Sequence, residues 1–215
     1  MPYSLVFFDL DGTLTDPTVG ITRSVQYALT RFGINETPDK LTHFIGPPLH
    51  RSFMTSYAFD EPKARQAVEH YREYFAETGI LQNVLIPGVP DLLGALKTAS
   101  RTLCVVTSKP AFYAEQIVRH FELDGFFDAV VGSEMDLSNA DKALLIRLAM
   151  ERYPDTPRAE TVMVGDREHD VIGAKANDID SIGVTFGAGS LRELEVASPT
   201  RIVATVEELG SALGL

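Results

Sequence analysis

The sequence contains no tryptophan, a single cysteine and fewer basic than acidic residues. Because one cysteine cannot form a disulfide within the chain, the composition excludes a disulfide framework and fits a reducing compartment. The formal net charge of −11 argues against a nucleic-acid surface, which normally needs a basic stripe. A small anionic substrate remains compatible with this charge, since a metal ion and one or two cationic side chains can reverse the local field.

Long hydrophobic runs are also missing. No apolar segment approaches the roughly 20 residues that a membrane span needs. The start, MPYSLVFFDLDG, has no basic region and its apolar run is broken by Asp9, which is not the pattern of a signal peptide. We therefore expect a cytoplasmic protein that does not bind a membrane. The sequence leaves the oligomeric state open.

The chain does contain a series of short apolar runs that are rich in β-branched residues. Their continuous apolar character is typical of strands buried on both faces of a parallel sheet. From residue 107 onward each run is followed by a helix-like stretch, which predicts βαβ units and a doubly wound, Rossmann-like α/β fold. The predicted strands are 4–9, 102–107, 128–132, 161–165, 181–185 and 201–204, and the predicted helices are 111–123, 139–153, 168–178 and 206–213.

The interval between the first two strands breaks this rhythm. Residues 16–86 contain no convincing strand, and VGITRSVQYALTRFG and PKARQAVEHYREYFAETG have helical apolar spacing. Gly79 is predicted to end the second of these helices. An interval of about 70 residues is too long for a βαβ crossover or a loop. We therefore predict a helical subdomain at 16–86, inserted into an α/β core made of residues 1–15 and 87–215.

Two carboxylates follow the first strand in FFDLDGTLTD. Residues i and i+2 of an extended strand point to the same side, so Asp9 and Asp11 are predicted to converge on one point. Carboxylates that close repel each other, and a divalent cation such as Mg²⁺ relieves the repulsion. Gly12 and Thr13 are predicted to turn the chain and to present amides to an anion. The same pattern also occurs as ordinary turn material.

Polar residues also follow two other predicted strands. Thr107 and Ser108, at the end of TLCVVT, are hydroxyl donors suited to a phosphate oxygen, and Asp166 and Asp170 follow TVMVG in GDREHD. The carboxyl ends of parallel strands meet at one edge of the sheet, where ligands bind near a switch in strand order. These four side chains are therefore predicted to share one site with the first motif.

The segment SNADK is predicted to bring a cation to this site. Ser138 and Asp141 have the spacing of a capping box, which places Lys142 in the first turn of a helix. Another short segment, GAGS at 187–190, is interpreted as a plain turn, with backbone amides that bind an anion as the alternative.

With these motifs in this order, the chain resembles the haloacid dehalogenase superfamily, and within it the phosphatases with a small helical cap, such as phosphoglycolate phosphatase. DLDGTLTD is similar to the nucleophile motif of that family, VVTSK to its hydroxyl motif and GDREHD to its acidic motif, while Lys142 matches its lysine motif. The resemblance covers nearly the whole chain. A helical insert after the first motif is the common position of the small cap in this superfamily.

The resemblance implies Mg²⁺-dependent hydrolysis of small phosphorylated metabolites. It implies that Asp9 forms an aspartyl-phosphate and that Asp11 acts first as general acid and then as base. It also implies that Thr107 and Lys142 hold the transferring phosphoryl group. The implied metal site consists of Asp9, Asp11, Asp166 and Asp170, with Asp170 either at the metal through water or orienting the other groups.

Several alternatives remain open at this point. The substrate is phosphoglycolate, a nucleotide, pyrophosphate or a sugar phosphate, and a mutase of the same superfamily would return the phosphoryl group to its substrate. A phospho-receiver signalling domain also phosphorylates an aspartate, although the insert and the Asp9-x-Asp11 arrangement argue against it. Within the insert, FIGPPLHRSF is either a turn between helices or a specificity loop that binds the substrate through Arg51.

Overall fold

The computed structural model describes residues 3–136 and 138–215. The chain divides into two compact units: Pro17–Val84 forms one, and Leu85–Leu215 forms the other together with the segment up to Asp16. None of the helices in the described residues is long and apolar enough to cross a membrane.

The smaller unit is helical and has its own aromatic core. Phe44, Phe53 and Phe59 are buried, with ring centroids of successive pairs 5.0 and 6.1 Å apart. Asp60 caps the longest helix, since its side chain accepts a hydrogen bond from the Lys63 backbone N–H at 3.0 Å. The helices are α1 (Thr18–Thr30), α2 (Leu49–Tyr57) and α3 (Glu61–Glu77), with 3₁₀ turns at Pro38–Phe44 and Gly79–Leu81.

The larger unit is built on a six-stranded sheet in which every neighbouring pair is parallel. Two further short strands, β2 (Thr15–Asp16) and β3 (Val84–Leu85), form a separate sheet. The strands of the main sheet are β1 (Leu5–Phe8), β4 (Thr102–Pro110), β5 (Ala129–Ser133), β6 (Thr161–Gly165), β7 (Asp180–Val184) and β8 (Arg201–Val203). Their order is β5-β4-β1-β6-β7-β8, so the predicted doubly wound α/β fold is confirmed.

The strand order reverses at β1. The chain adds β4 and β5 on one side of this strand and then β6, β7 and β8 on the other. The register pairs Phe8 of β1 with Val105 of β4 and Val164 of β6. The ends of β1 and β6 therefore lie at one level beside Val105 of β4, at the edge where doubly wound folds bind their ligands.

Helices connect the parallel strands, as in βαβ units. One face of β1 contributes Leu5 and Phe7 to a buried cluster with Leu145 and Ala174 from two of these helices. Burying each large apolar side chain contributes about 1.5–3 kcal/mol, so this packing fixes both helices against the sheet. The helices of this unit are α4 (Val89–Thr98), α5 (Ala111–His120), α6 (Lys142–Met150), α7 (Glu168–Ala176), α8 (Leu191–Ala197) and α9 (Val206–Ala212), with a 3₁₀ turn at Arg158–Glu160.

One of two predicted helix ends was wrong. The cap of α6 is Asp141, whose side chain accepts from the Leu144 N–H at 2.9 Å, so the cap lies three residues after the predicted capping residue, Ser138. α3 ends at Glu77 with Thr78 as its C-cap, so the predicted stop residue, Gly79, directly follows the cap and begins the next 3₁₀ turn. Glycine is required there because a Cβ atom would lie 2.5 Å from the Ser24 hydroxyl of α1.

Candidate active site

The first carboxylate of the site lies directly after β1. Asp9 is buried, and its backbone N–H donates to the Val164 carbonyl at 2.9 Å, which extends the pairing with β6 by one residue. Its Oδ1 accepts a hydrogen bond from Lys142 Nζ at 2.8 Å. The strand ladder therefore fixes the backbone of Asp9, and an ammonium group fixes one of its carboxylate oxygens.

The chain turns immediately after this carboxylate. Gly12 has a φ of +87°, and a Cβ atom there would collide with the carboxylate of Asp166, so only glycine fits. The Gly12 N–H donates to Thr15 O at 2.7 Å and the Thr13 N–H to Leu10 O at 3.3 Å. Both amides are thus used within the turn, and binding of a substrate anion by Gly12 and Thr13 stays a prediction.

Asp11 lies in this turn, because β1 already ends at Phe8. The alternation of an extended strand no longer applies there, and among the described residues the Asp11 carboxylate is not part of the three-carboxylate group formed by Asp9, Asp166 and Asp170, so a role of Asp11 in holding the cation stays a prediction. Asp11 Oδ2 instead accepts a hydrogen bond from Lys109 Nζ, while Oδ1 is buried without a hydrogen-bond partner among the described residues. Burial raises the pKa of Asp11 and outweighs the opposing effect of the Lys109 ammonium.

Three buried acids form the centre of the site. Asp9, Asp166 and Asp170 each present a carboxylate oxygen, and these atoms lie within 4.8 Å of one another. Asp166 follows β6 and Asp170 lies in the first turn of α7, so two adjacent strand ends and one helix start bring the three together. The group is almost inaccessible, with exposures of 8%, 0% and 2%.

Lys142 is the cation of this centre. Its Nζ lies 2.8 Å from both Asp9 Oδ1 and Asp170 Oδ1, and it also donates to the Val106 carbonyl at 3.0 Å. Burial alone would lower the pKa of the Lys142 ammonium, but the charges of Asp170 and Asp9 outweigh this effect and raise it. Lys142 therefore stays protonated while buried, as a group that neutralises anions must.

The GAGS segment holds Asp166 in place. The N–H groups of Ala188 and Gly189 donate to Asp166 Oδ2 at 2.8 and 3.1 Å, and the Thr13 hydroxyl donates to Oδ1 at 3.5 Å. A Cβ atom on Gly187 would lie 2.5 Å from that of Asp166, which explains the glycine. The segment is more than the plain turn favoured by the sequence: its amides bind an anion, and that anion belongs to the same chain.

Asp170 is positioned by its own helix start. Its Oδ2 accepts from the Arg167 N–H at 3.1 Å, which closes the first turn of α7. A Cβ atom on Gly165 would collide with the Asp170 carboxylate, so the end of β6 makes room for it. Burial raises the pKa of Asp170, and this effect is larger than the opposing effect of the Lys142 ammonium.

The two hydroxyl residues at the end of β4 have different surroundings. Thr107 is buried, and its Oγ1 accepts a hydrogen bond from the Lys109 N–H at 3.2 Å. The Ser108 hydroxyl donates to the Ala140 carbonyl at 2.9 Å and so ties this strand end to the segment before α6. Contact of either hydroxyl with a substrate phosphate stays a prediction.

The predicted specificity residue of the helical unit is at the surface. Arg51 lies in the first turn of α2, after Gly46, whose φ of +99° bends the preceding segment. Its side chain is exposed. Its role in substrate binding stays a prediction.

Residues 6–184 match the model of the family described as haloacid dehalogenase-like hydrolase. The chain belongs to this family. The assignment agrees with the four motifs and with the parallel sheet that assembles them.

Individual relatives of this hydrolase are named as enzymes that hydrolyse or transfer phosphoryl groups. A Pseudomonas aeruginosa protein named 5'-nucleotidase is 48% identical over 213 residues, covering 98% of this chain and 96% of that protein. The Mycobacterium tuberculosis protein named tyrosine-protein kinase PtkA is 38% identical, covering 98% of this chain and 72% of that protein. The crystal structure of a predicted phosphatase from Clostridium acetobutylicum superposes with a TM-score of 0.94 at 46% identity, covering 99% of both chains.

The three carboxylates of this hydrolase fit a divalent cation. Burial, together with the charges of Asp9 and Asp170, raises the pKa of Asp166 to about 7 in the protein alone. A cation would offset this repulsion, and an all-oxygen donor set suits Mg²⁺ rather than a soft metal. Among the described residues the carboxylates that meet are those of Asp9, Asp166 and Asp170, and the side chain of Asp11 lies outside the group.

The raised pKa of Asp166 predicts how stability depends on pH. Because folding raises this pKa from 3.8 to about 7, the folded state binds the proton more tightly, and stability falls as pH rises through this window. In EDTA, we expect wild type to lose about 2–3 kcal/mol relative to Asp166→Asn between pH 5 and pH 7.5. Urea unfolding of both proteins measures this difference. If the free energies of unfolding of the two proteins changed in parallel with pH, the pKa of Asp166 would not be raised by folding.

Proposed function

We propose that this hydrolase cleaves small phosphomonoesters in a Mg²⁺-dependent reaction that passes through an aspartyl-phosphate on Asp9. The observation that carries the proposal is the buried group in which Lys142 contacts both Asp9 and Asp170 while Asp166 lies beside them. Phosphoryl transfer requires chiefly positioning and neutralisation of charge, and this group supplies both. Carboxylates alone, without a fixed cation, would repel a phosphate dianion.

In the first step a carboxylate oxygen of Asp9 attacks phosphorus. The bond between phosphorus and the leaving oxygen breaks, and a proton from Asp11 goes to that oxygen, so the alcohol leaves neutral. The raised pKa of Asp11 supports this role, because a general acid must hold its proton near the working pH. Lys142 and Thr107 are proposed to hold the phosphoryl oxygens during transfer.

In the second step water attacks the phosphorus of the aspartyl-phosphate. Asp11, now a carboxylate, takes a proton from the water, and the bond between Asp9 and phosphorus breaks to release inorganic phosphate. A carboxylate nucleophile thus divides one difficult hydrolysis into two easier steps. Asp11 returns to its protonated form and is ready for the next substrate.

Asp9, Asp166 and Asp170 would hold the Mg²⁺ ion, which supplies charge neutralisation for the phosphate when it is bound. Ala188 and Gly189 keep the Asp166 carboxylate oriented for this purpose. The helical unit is proposed to act as the cap that limits substrate size and excludes water.

Two classes of phosphomonoester are the main candidate substrates. The relative named 5'-nucleotidase, 48% identical, supports nucleoside 5'-monophosphates, whereas the resemblance to phosphoglycolate phosphatases favours phosphoglycolate. We propose that the substrates are small soluble phosphomonoesters and that nucleoside 5'-monophosphates are the preferred ones.

Release of inorganic phosphate tests the proposed function. Purified protein is incubated with nucleoside 5'-monophosphates, phosphoglycolate, pyrophosphate, sugar phosphates and p-nitrophenyl phosphate, each with Mg²⁺ and with excess EDTA. We expect turnover that EDTA abolishes and Mg²⁺ restores, with Ca²⁺ failing because it accepts more and longer bonds than Mg²⁺. Full activity in EDTA would contradict the metal requirement. Return of the phosphoryl group to a sugar phosphate would indicate a mutase, and transfer from ATP to tyrosine would indicate the activity named for PtkA.

Arg51 is tested by comparing two substrates. A guanidinium group binds carboxylate or phosphate through a planar fork, so it is suited to an anionic leaving group. We expect Arg51→Ala to lower kcat/KM for the best metabolite by roughly tenfold, the scale of one charged hydrogen bond. The effect on p-nitrophenyl phosphate should be much smaller, since its leaving group carries no such anion. Equal effects on both substrates would leave Arg51 as a surface charge.

A further inference from the structure

The strand that carries Thr107 contains a local irregularity. In the register of β4 with β5, Thr107 pairs with Gly132 and Pro110 pairs with Ser133. Ser108 and Lys109 are therefore two extra residues on β4. A bulge of this kind re-aims side chains and is common beside active sites.

Neighbouring residues hold this bulge in one conformation. The Ser133 hydroxyl donates to the Ser108 carbonyl at 2.9 Å, and the Ser108 hydroxyl donates to the Ala140 carbonyl at the same distance. A Cβ atom on Gly132 would lie 2.7 Å from the Lys109 carbonyl oxygen, so the bulge also requires a glycine on the facing strand. The backbone at Ser108 and Lys109 is thus held by two neighbouring segments, β5 and the residues before α6.

The bulge directs Lys109 to Asp11. The Lys109 ammonium contacts Asp11 Oδ2, and the two side chains are only 8% and 15% exposed. The other carboxyl oxygen, Oδ1, is buried and has no hydrogen-bond partner among the described residues. Oδ2 of Asp11 therefore contacts the Lys109 ammonium, and Oδ1 is available to a proton or to a bound substrate.

We propose that Lys109 is a positioning residue for Asp11, which by holding Oδ2 leaves Oδ1 to carry the proton that is transferred to the leaving oxygen. The inference rests on the proposed function, in which Asp11 is the general acid. The Oδ1 proton moves to the leaving oxygen as the bond to phosphorus breaks, and Asp11 remains as a carboxylate beside the Lys109 ammonium. In the second step Oδ1 takes the proton of the attacking water.

A series of leaving groups tests this role. Alkyl phosphates need a proton on the leaving oxygen, whereas p-nitrophenolate leaves without one, so a misplaced acid affects them unequally. We expect Lys109→Met to lower kcat for an alkyl phosphate by about 100-fold, the low end of a general acid's contribution, and for p-nitrophenyl phosphate by less than about fivefold. Lys109→Arg, which keeps the charge, should recover part of the loss. KM should change little.

The same variant made in an Asp11→Asn background identifies the residue through which Lys109 acts. If Lys109 works through Asp11, Lys109→Met will cause no further loss in phosphorylation of the enzyme by p-nitrophenyl phosphate when Asp11 is already changed. An equal loss of kcat for all leaving groups would reduce Lys109 to a structural residue. A rise in KM with constant kcat would make it a substrate-binding residue. Either result overturns the proposal.

A readout without catalysis separates this inference from the proposed function. Thermal unfolding of wild type, Lys109→Met, Asp11→Asn and the double variant measures the Lys109–Asp11 contact directly. We expect the Tm shift of the double variant to differ from the sum of the single shifts by several degrees. Additive shifts overturn the pairing even if the enzyme is a phosphatase. Coupled shifts in a protein without phosphatase activity would show that the pair exists and that the proposed function has failed.

Discussion

Asp9→Asn is expected to abolish phosphatase turnover and to leave the fold intact. The amide keeps the shape of the side chain but lacks the nucleophilic oxygen, so no aspartyl-phosphate forms. We expect kcat to fall by at least about 10⁴-fold, in line with removal of a covalent nucleophile. Steady-state release of phosphate from p-nitrophenyl phosphate and from the best metabolite measures the loss.

The control for this variant is Asp155→Asn, an identical change at an exposed position of the same unit. It should retain full activity. Circular dichroism and thermal unfolding of both variants exclude a folding defect as the cause. If Asp9→Asn keeps more than about a hundredth of wild-type turnover, a loss of under about 3 kcal/mol in transition-state stabilisation, the covalent route through Asp9 is contradicted.

Lys142→Met is expected to remove activity and stability together. The variant leaves the carboxylates of Asp9 and Asp170 buried without the ammonium that contacts both. Breaking a buried ion pair by removing one partner costs about 3–5 kcal/mol, and the Lys142 side chain is only 5% exposed, so solvent screens it little. Loss of a group that neutralises the phosphoryl charge should also lower kcat by about 10²–10³-fold.

Urea unfolding in EDTA and steady-state kinetics in Mg²⁺ measure the two effects. The matched control is Lys175→Met, since Lys175 is exposed in α7 and its ammonium donates to the Ala197 carbonyl. Addition of Mg²⁺ should restore part of the lost stability of Lys142→Met, because it supplies charge to the same carboxylates. A variant as stable and as active as the control would remove Lys142 from the centre of the site.

The sheet and most of its site motifs were predictable from the sequence because short-range physics determines them. A strand buried on both faces needs an uninterrupted apolar run, and the runs SLVFFD, TLCVVT and TVMVG could therefore be recognised as strands. The carboxyl ends of parallel strands share one edge, so the polar residues after these runs had to meet. This reasoning found Asp9 and Asp166, whereas Lys142 was predicted from a capping pattern.

Other features depended on the exact backbone path, which spacing does not encode. The pairing of Asp11 with Lys109 arises because β1 ends before Asp11 and a bulge redirects β4. In the sequence, Lys109 is an ordinary lysine after Ser108, and the proline that follows it is the only local sign of an irregular strand end. The start of α6 was misplaced because Ser138 and Asp141 both suit a cap, and tertiary packing selects between them.

The GAGS segment shows a third kind of limit. Its glycines indicated a turn, but their function appears only when β6 brings Asp166 against them. Gly187 and Gly189 leave no room for a Cβ atom beside Asp166, and the amides of this segment bind its carboxylate. A contact between residues more than 20 positions apart has no signature in local sequence.

The central claim is that Asp9 carries the phosphoryl group, and chemical trapping tests it most directly. Asp11→Asn, which should accept phosphate from p-nitrophenyl phosphate but release it slowly, is mixed with that substrate and Mg²⁺, quenched and reduced with borohydride. Reduction converts an aspartyl-phosphate to homoserine, which peptide mass spectrometry locates. We predict homoserine at position 9 and at no other aspartate, and none in Asp9→Asn. Unmodified Asp9 in a sample that has released a stoichiometric burst of p-nitrophenol, or homoserine at another position, would contradict the account.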